Sequence, residues 1–139
     1  MPFVFFAVRK QTWISSPGAE GDFTGKHTKE RMEKDCIFCQ IIRGQRPAAF
    51  VFEGDTLVAF QDANPHAPVH ILLVPRKHIR SVNDLSEEDR SVIADLFMAA
   101  GKIAKEQGIA RSGYKLIFNV EQGGGQYVFH LHLHLVGGW

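Results

Sequence analysis

Residues 129 to 136 read Phe-His-Leu-His-Leu-His-Leu-Val, so His130, His132 and His134 alternate with apolar residues at the two-residue period of a β-strand. That spacing predicts three imidazoles on one face and Phe129, Leu131, Leu133 and Leu135 on the other, which is suited to a core. Neutral imidazole is a competent nucleophile and a hydrogen-bond donor at neutral pH, so three of them on one face suggest a reactive site rather than surface decoration. Immediately upstream lies Gln122-Gly123-Gly124-Gly125-Gln126. Glycines let successive backbone N–H groups line a concavity that favours an anion, although a long hairpin also needs residues of positive φ at such a place. Taken together, the loop and the histidines point to a phosphate group as the guest. No Gly-x-x-x-x-Gly-Lys-Ser/Thr string occurs, so the chemistry is not that of a P-loop.

A second constellation is Cys36-Ile37-Phe38-Cys39, the only two cysteines of the chain. Their two-residue spacer lets both sulfurs reach one tetrahedral ion or take part in redox work, and further ligands would have to be histidines or carboxylates. Two small apolar core residues are the alternative, and an ion held by the three alternating histidines is a rival geometry.

These residues need a scaffold. The chain has 139 residues, 45% of them hydrophobic and 22% charged, which suffices for one domain with a real core. Net charge is +1 and no long basic run occurs, so neither duplex nucleic acid nor an anionic membrane is an expected partner. No apolar stretch reaches the length of a membrane span, the Phe3–Val8 run lacks the flanks of a secretory signal, and a cytoplasmic location is expected. Residues 9–35 mix glycine, serine and charge without a sustained period, and 1–31 are expected to be a flexible leader or upstream extension, with Met32 as a natural start and 32–139 as the domain. Along the domain the pattern predicts a short helical turn ending near Gly44, then strands at Ala49–Phe52, Leu57–Phe60 and His70–Val74. Ser86 caps one long helix carrying Val92, Ile93, Leu96, Phe97, Ala100, Ile103 and Ala104, closed by Gly108. Strands at Tyr114–Val120 and Tyr127–Val136 follow, on either side of the glycine loop. The expected class is α+β, a five-stranded antiparallel sheet with one long helix and a short N-terminal helix.

The string His130-Leu131-His132-Leu133-His134-Leu135-Val136 resembles the signature of the histidine triad (HIT) family. The resemblance extends in order through Cys36–Cys39, Asp62, Ala67-Pro68-Val69-His70, Val74-Pro75-Arg76-Lys77-His78-Ile79, Gly125-Gln126 and Gly137-Gly138, covering about 100 residues. It is closest to the Hint branch, the purine nucleoside phosphoramidases. The resemblance implies a HIT-like homodimer that hydrolyses purine nucleoside phosphoramidates, such as AMP or GMP linked to an amine, through a nucleotidyl-histidine intermediate on His132. It also implies that His134 and His70 donate to phosphate oxygens. The Gly125 and Gln126 backbone and Asn119 would complete the phosphate site. Asp62 would take the ribose hydroxyls, and Ala63, Ile37 and Phe60 would flank the purine. Tyr127 stands where such enzymes commonly carry serine, which bears on leaving-group preference. Cysteine-bearing members imply a structural zinc on Cys36, Cys39, His78 and His130, with no organic cofactor. Hydrolysis of dinucleoside polyphosphates or nucleotidyl esters by the same histidine, and a nucleotide-binding interaction protein with incidental turnover, are the alternatives.

Overall fold

The computed structural model describes residues 33–139; the leader and Met32 lie outside the described residues. A short helix α1 (Ile37–Ile42) precedes a five-stranded sheet of β1 (Phe50–Glu53), β2 (Leu57–Gln61), β3 (Val69–Pro75), β4 (Tyr114–Ile117) and β5 (Leu133–Gly137). The long helix α2 (Arg90–Glu106) crosses between β3 and β4. Every neighbouring pair is antiparallel, in the order β1-β2-β3-β5-β4. The expected class and sheet are therefore observed.

Alternation along the strands sorts side chains into two layers. Leu57, Ala59, Ile71, Leu73, Leu133 and Leu135 pack with Leu96, Ala100, Ile103 and Ala104 of α2. On the other face Val58, Phe60, Leu72 and Val74 pack with Phe38, Cys39 and Ile41 of α1. Ser86 caps a 3-10 turn, Glu87–Asp89, that runs directly into α2, and the Asp89 carboxylate accepts from the Ser86 N–H at 2.9 Å. At the other end Gly108 takes φ +75°, with Gly108 N–H on the Lys105 carbonyl and Ile109 N–H on that of Ala104, a Schellman closure. Phe97 is not a core residue. It is 45% exposed and meets only the edge of the layer, its ring 6.1 Å from that of Phe118.

The last strand departs most from the sequence pattern. β5 begins at Leu133 instead of Tyr127, and β4 ends at Ile117 instead of Val120. The β3–β5 ladder runs from Val69↔Gly137 to Leu73↔Leu133. Two residues further it would need Pro75 opposite Leu131, and proline has no N–H to give. Leu131 N–H instead reaches the Ile79 carbonyl at 2.7 Å, and the Pro75 carbonyl faces a histidine ring. His130 and His132 therefore sit in irregular chain, and only His134 is in a strand. The connection between β4 and β5 is a long loop around a 3-10 turn, Gln122–Gly124, and no tight hairpin.

Candidate active site

His70 and His134 share the α1 face of the sheet. His134 is paired with Leu72 and His70 with Val136, so the two histidines are diagonal neighbours on adjacent strands. His70 Nε2 lies 3.1 Å from His134 Nδ1. The His66 backbone N–H donates to His70 Nδ1 at 3.4 Å, which makes that nitrogen an acceptor. The His70 proton is thereby assigned to Nε2, from which it donates to His134 Nδ1. The His134 proton is in turn on Nε2, 3.5 Å from the Asn119 amide, and this tautomer requires that the amide oxygen and not its NH2 face the ring.

His132 sits beside this couple, its ring centroid 4.9 Å from that of His134. Its Nδ1–H donates to the carbonyl of His130 at 2.7 Å, a bond across a single residue that only the non-strand course of this segment permits. Nε2 therefore carries the free lone pair. Burial pushes the pKa of His132 down to about 4, against the opposing pull of the carbonyl bond. His70 is also held at about 4 by burial, and burial keeps His134 well below the ordinary range. All three rings are neutral at pH 7. The edge-to-face ring of buried Phe38, 5.0 Å from His132, contributes to that dry setting.

Asp62 follows the end of β2, its carboxyl pushed up to about 6 by burial. Its Oδ1 accepts from the Asn64 N–H at 2.8 Å and so caps its own loop. Oδ2 lies 3.5 Å from His70 Nε2. With His70 neutral and its proton closer to His134, this contact is not an ion pair. Ala63, next in the loop, is exposed; Ile37 is half-buried and Phe60 is buried.

The glycine loop differs in detail from the expectation of open backbone donors. The N–H groups of Gly124 and Gln126 donate to the Glu121 carbonyl and that of Gly125 to the Gln122 carbonyl, all at 3.0 Å. As placed, these donors are engaged within the turn. The Gln126 side chain is buried and fully used: Oε1 accepts from Glu121 N–H at 2.8 Å, while Nε2 donates to the carbonyls of Arg80 at 2.8 Å and Val128 at 3.1 Å. The adjoining Tyr127 is half-buried.

The second constellation gathers where the chain leaves β3. Cys36 Sγ lies 3.3 Å from His130 Nδ1, and Cys39 Sγ lies 3.3 Å from His78 Nδ1 and 3.5 Å from His130 Nδ1. All four ligand atoms fall within 4.8 Å of one another. Zinc bonds of roughly 2.3 Å to sulfur and 2.0 Å to nitrogen imply sulfur–nitrogen edges of about 3.6 Å in a tetrahedron, so the donor set fits. His130 Nε2–H donates to the Pro75 carbonyl at 2.8 Å, which frees Nδ1 as a ligand lone pair. The hydrogen bond between the thiols pulls the pKa of Cys36 down and pushes that of Cys39 up. Thus the three alternating histidines do not act as one row. His130 turns to the cysteines, and His132 and His134 face each other.

Sequence reasoning did not single out Phe38 as a neighbour of His132, nor His66 as the donor that sets the His70 tautomer. It also passed over Arg80, Ser81 and Glu121. Only the Asn64-Pro65-His66 loop composition hinted at His66, and nothing local marked the others.

Comparison with known proteins agrees with this geometry. Residues 35–138 match the family model described as scavenger mRNA decapping enzyme C-term binding. The chain is 44% identical over 107 residues to the purine nucleoside phosphoramidase of Escherichia coli (strain K12), covering 77% of this chain and 90% of that protein. Among solved structures, a HIT family hydrolase from Legionella pneumophila Philadelphia 1 superposes with a TM-score of 0.74 at 46% identity, covering 75% of this chain and 93% of that one. A histidine triad protein from Clostridium difficile gives 0.73 at 43% identity, covering 76% and 91%.

Proposed function

The chain belongs to the histidine triad family and is a nucleotide hydrolase of that family, and from this premise we propose that it cleaves purine nucleoside phosphoramidates through His132. The observation that carries the reading is the His132 tautomer: Nδ1–H is spent on the His130 carbonyl, so Nε2 is neutral, unprotonated and free to attack. Attack on the α-phosphorus breaks the P–N bond, and the amine leaves with a proton from solvent. The nucleotidyl-imidazole so formed is cationic, and the His130 carbonyl is aligned to stabilise it. Water then attacks phosphorus, releases the nucleoside monophosphate and returns His132 to its starting tautomer. His134 Nε2–H, supported by His70 and flanked by Asn119, is the donor proposed for a phosphate oxygen. The free Asp62 oxygen is assigned to the ribose, with Ala63 beside it, and the loop at Gly125, Gln126 and Tyr127 to the phosphate and leaving group. AMP or GMP conjugates are the substrates proposed.

Cys36, Cys39, His78 and His130 are the residues that would hold a structural zinc, which would supply a cross-link between α1, the end of β3 and the histidine segment. A second copy of the chain is the partner proposed, supported by the position of β4 at the edge of the sheet among the described residues and by exposed Phe97 and Met98 on α2. Among the described residues no helix is long and apolar enough to cross a membrane, and a cytoplasmic setting, where both thiols stay reduced, is the proposed location.

The deciding experiment is to mix the protein with a labelled adenosine phosphoramidate, quench, and map the adduct. Label on His132 is the expected result, and label on another residue overturns the mechanism. Parallel assays on dinucleoside polyphosphates distinguish the nearest enzymatic alternative.

A further inference from the structure

The segment that aims His132 has no ladder beneath it, because the β3–β5 pairing stops at Leu73↔Leu133. Residues 79–81 support it instead. Ile79 O receives Leu131 N–H at 2.7 Å, Arg80 O receives the Gln126 amide at 2.8 Å, and the Arg80 guanidinium stacks 4.4 Å over the ring of Phe129. This strip meets the glycine loop at Glu121. The Glu121 carboxylate is paired with Arg80 and accepts from the wholly buried Ser81 hydroxyl at 2.8 Å. Its N–H is held by the Gln126 side chain, and its carbonyl takes two N–H groups of the turn.

Glu121 is also the single non-glycine residue with positive φ among the described residues, at φ +61°, ψ 173°. Backbone of this kind is nearly exclusive to glycine and persists only where the surroundings over-determine it. A glutamate there implies that its carboxylate is worth more than the strain it brings.

We propose that Glu121 is a positioning residue for the nucleophile: through Arg80, Ser81 and Gln126 it clamps the glycine loop to the 79–81 strip and so fixes the course of residues 128–132. The clamp touches neither Asp62 nor Phe60, so it governs the reacting ring and the glycine loop fastened to it, and leaves the ribose and purine contacts alone. This inference rests on the assignment of His132 as nucleophile.

Glu121→Gly isolates the clamp, since glycine accepts this backbone conformation without strain while the carboxylate anchors vanish. The expected result is a fall in kcat of roughly 10- to 100-fold, the scale of an ångström-size misplacement, with adenosine affinity and thermal midpoint nearly unchanged. Arg80→Met is expected to reproduce the kcat loss, and Glu121→Gln, which keeps acceptors for Ser81 and Arg80, to restore most of it. A substrate-free measurement runs alongside: the His132 Nδ1–H resonance, sharp and slowly exchanging in the native protein, is expected to broaden in Glu121→Gly. Full kcat in both Glu121→Gly and Arg80→Met, or a parallel loss of kcat, adenosine affinity and melting temperature, overturns the clamp. Because the resonance needs no turnover, its persistence in Glu121→Gly overturns the clamp even if the phosphoramidase reading fails on its own substrates.

Discussion

His130 and His132 lie two residues apart in the same irregular segment, both almost wholly buried, yet they use their ring nitrogens differently. His130 commits both, Nε2–H to the Pro75 carbonyl and Nδ1 to the cysteine sulfurs. His132 commits one, giving Nδ1–H to the His130 carbonyl and keeping Nε2 free. The count of engaged nitrogens, rather than burial or motif position, separates a structural imidazole from a reactive one. The carbonyl that orients the reactive ring belongs to the structural residue, so a metal cross-link at one would steady the other.

The largest effect that tests this contrast is removal of the free nitrogen. His132→Ala is expected to lower kcat by roughly 10⁴-fold or more while AMP still binds, which steady-state kinetics and calorimetry would show. Retained turnover in that variant would reduce His132 to a bystander. Breaking the other half should behave differently: Cys36→Ser or His130→Ala is expected to cost stability first, on the order of several kcal/mol in denaturant melts, with bound zinc lost in metal analysis and activity falling as a consequence. A chelator that leaves the melting temperature untouched would contradict the structural role.

Next in size is the pH response. His132 drops from 6.5 unfolded to about 4 folded, so the unfolded chain binds its proton first and stability falls as pH drops from about 6.5 toward 4. His70 and His134 act in the same direction. Asp62, raised from 3.8 to about 6, acts oppositely and loses stability as pH rises through that window. Three histidines against one carboxyl predict a lower denaturation midpoint at pH 5 than at pH 7, and an unchanged midpoint would show that burial does not hold these rings neutral. The smallest effect is at Asp62. Asp62→Asn keeps the acceptor for Asn64 but removes the charge offered to the ribose, and a rise in KM of about 10-fold with kcat nearly unchanged is expected. A fall in kcat without a KM change would move Asp62 from binding into the His70–His134 couple.

Much of this was readable before the structure. The Ser86 cap and the Gly108 closure are local, and each appeared where capping chemistry required. The Cys36–Cys39 pair, with His78 and His130, was legible through its resemblance to the family, and the four converge. Less legible was the flank of the apolar stripe on α2: helical spacing marks Phe97 as core, but it lies at the margin of the layer, half-exposed beside Phe118. Strand periodicity likewise extended β5 to Tyr127, because alternation measures side-chain pattern and not the availability of a partner strand.

The amino-acid order alone therefore determined the class, the element sequence and the identity of the chemical groups, since capping, periodicity and ligand spacing act over a few residues. Tertiary structure decided which groups meet and in which protonation form. Where the β3–β5 ladder ends, which carbonyl orients His130, how far burial holds the rings neutral, and why a glutamate sits in glycine's backbone conformation all depend on residues 40 or more positions apart, and no local signal encodes contacts at that distance.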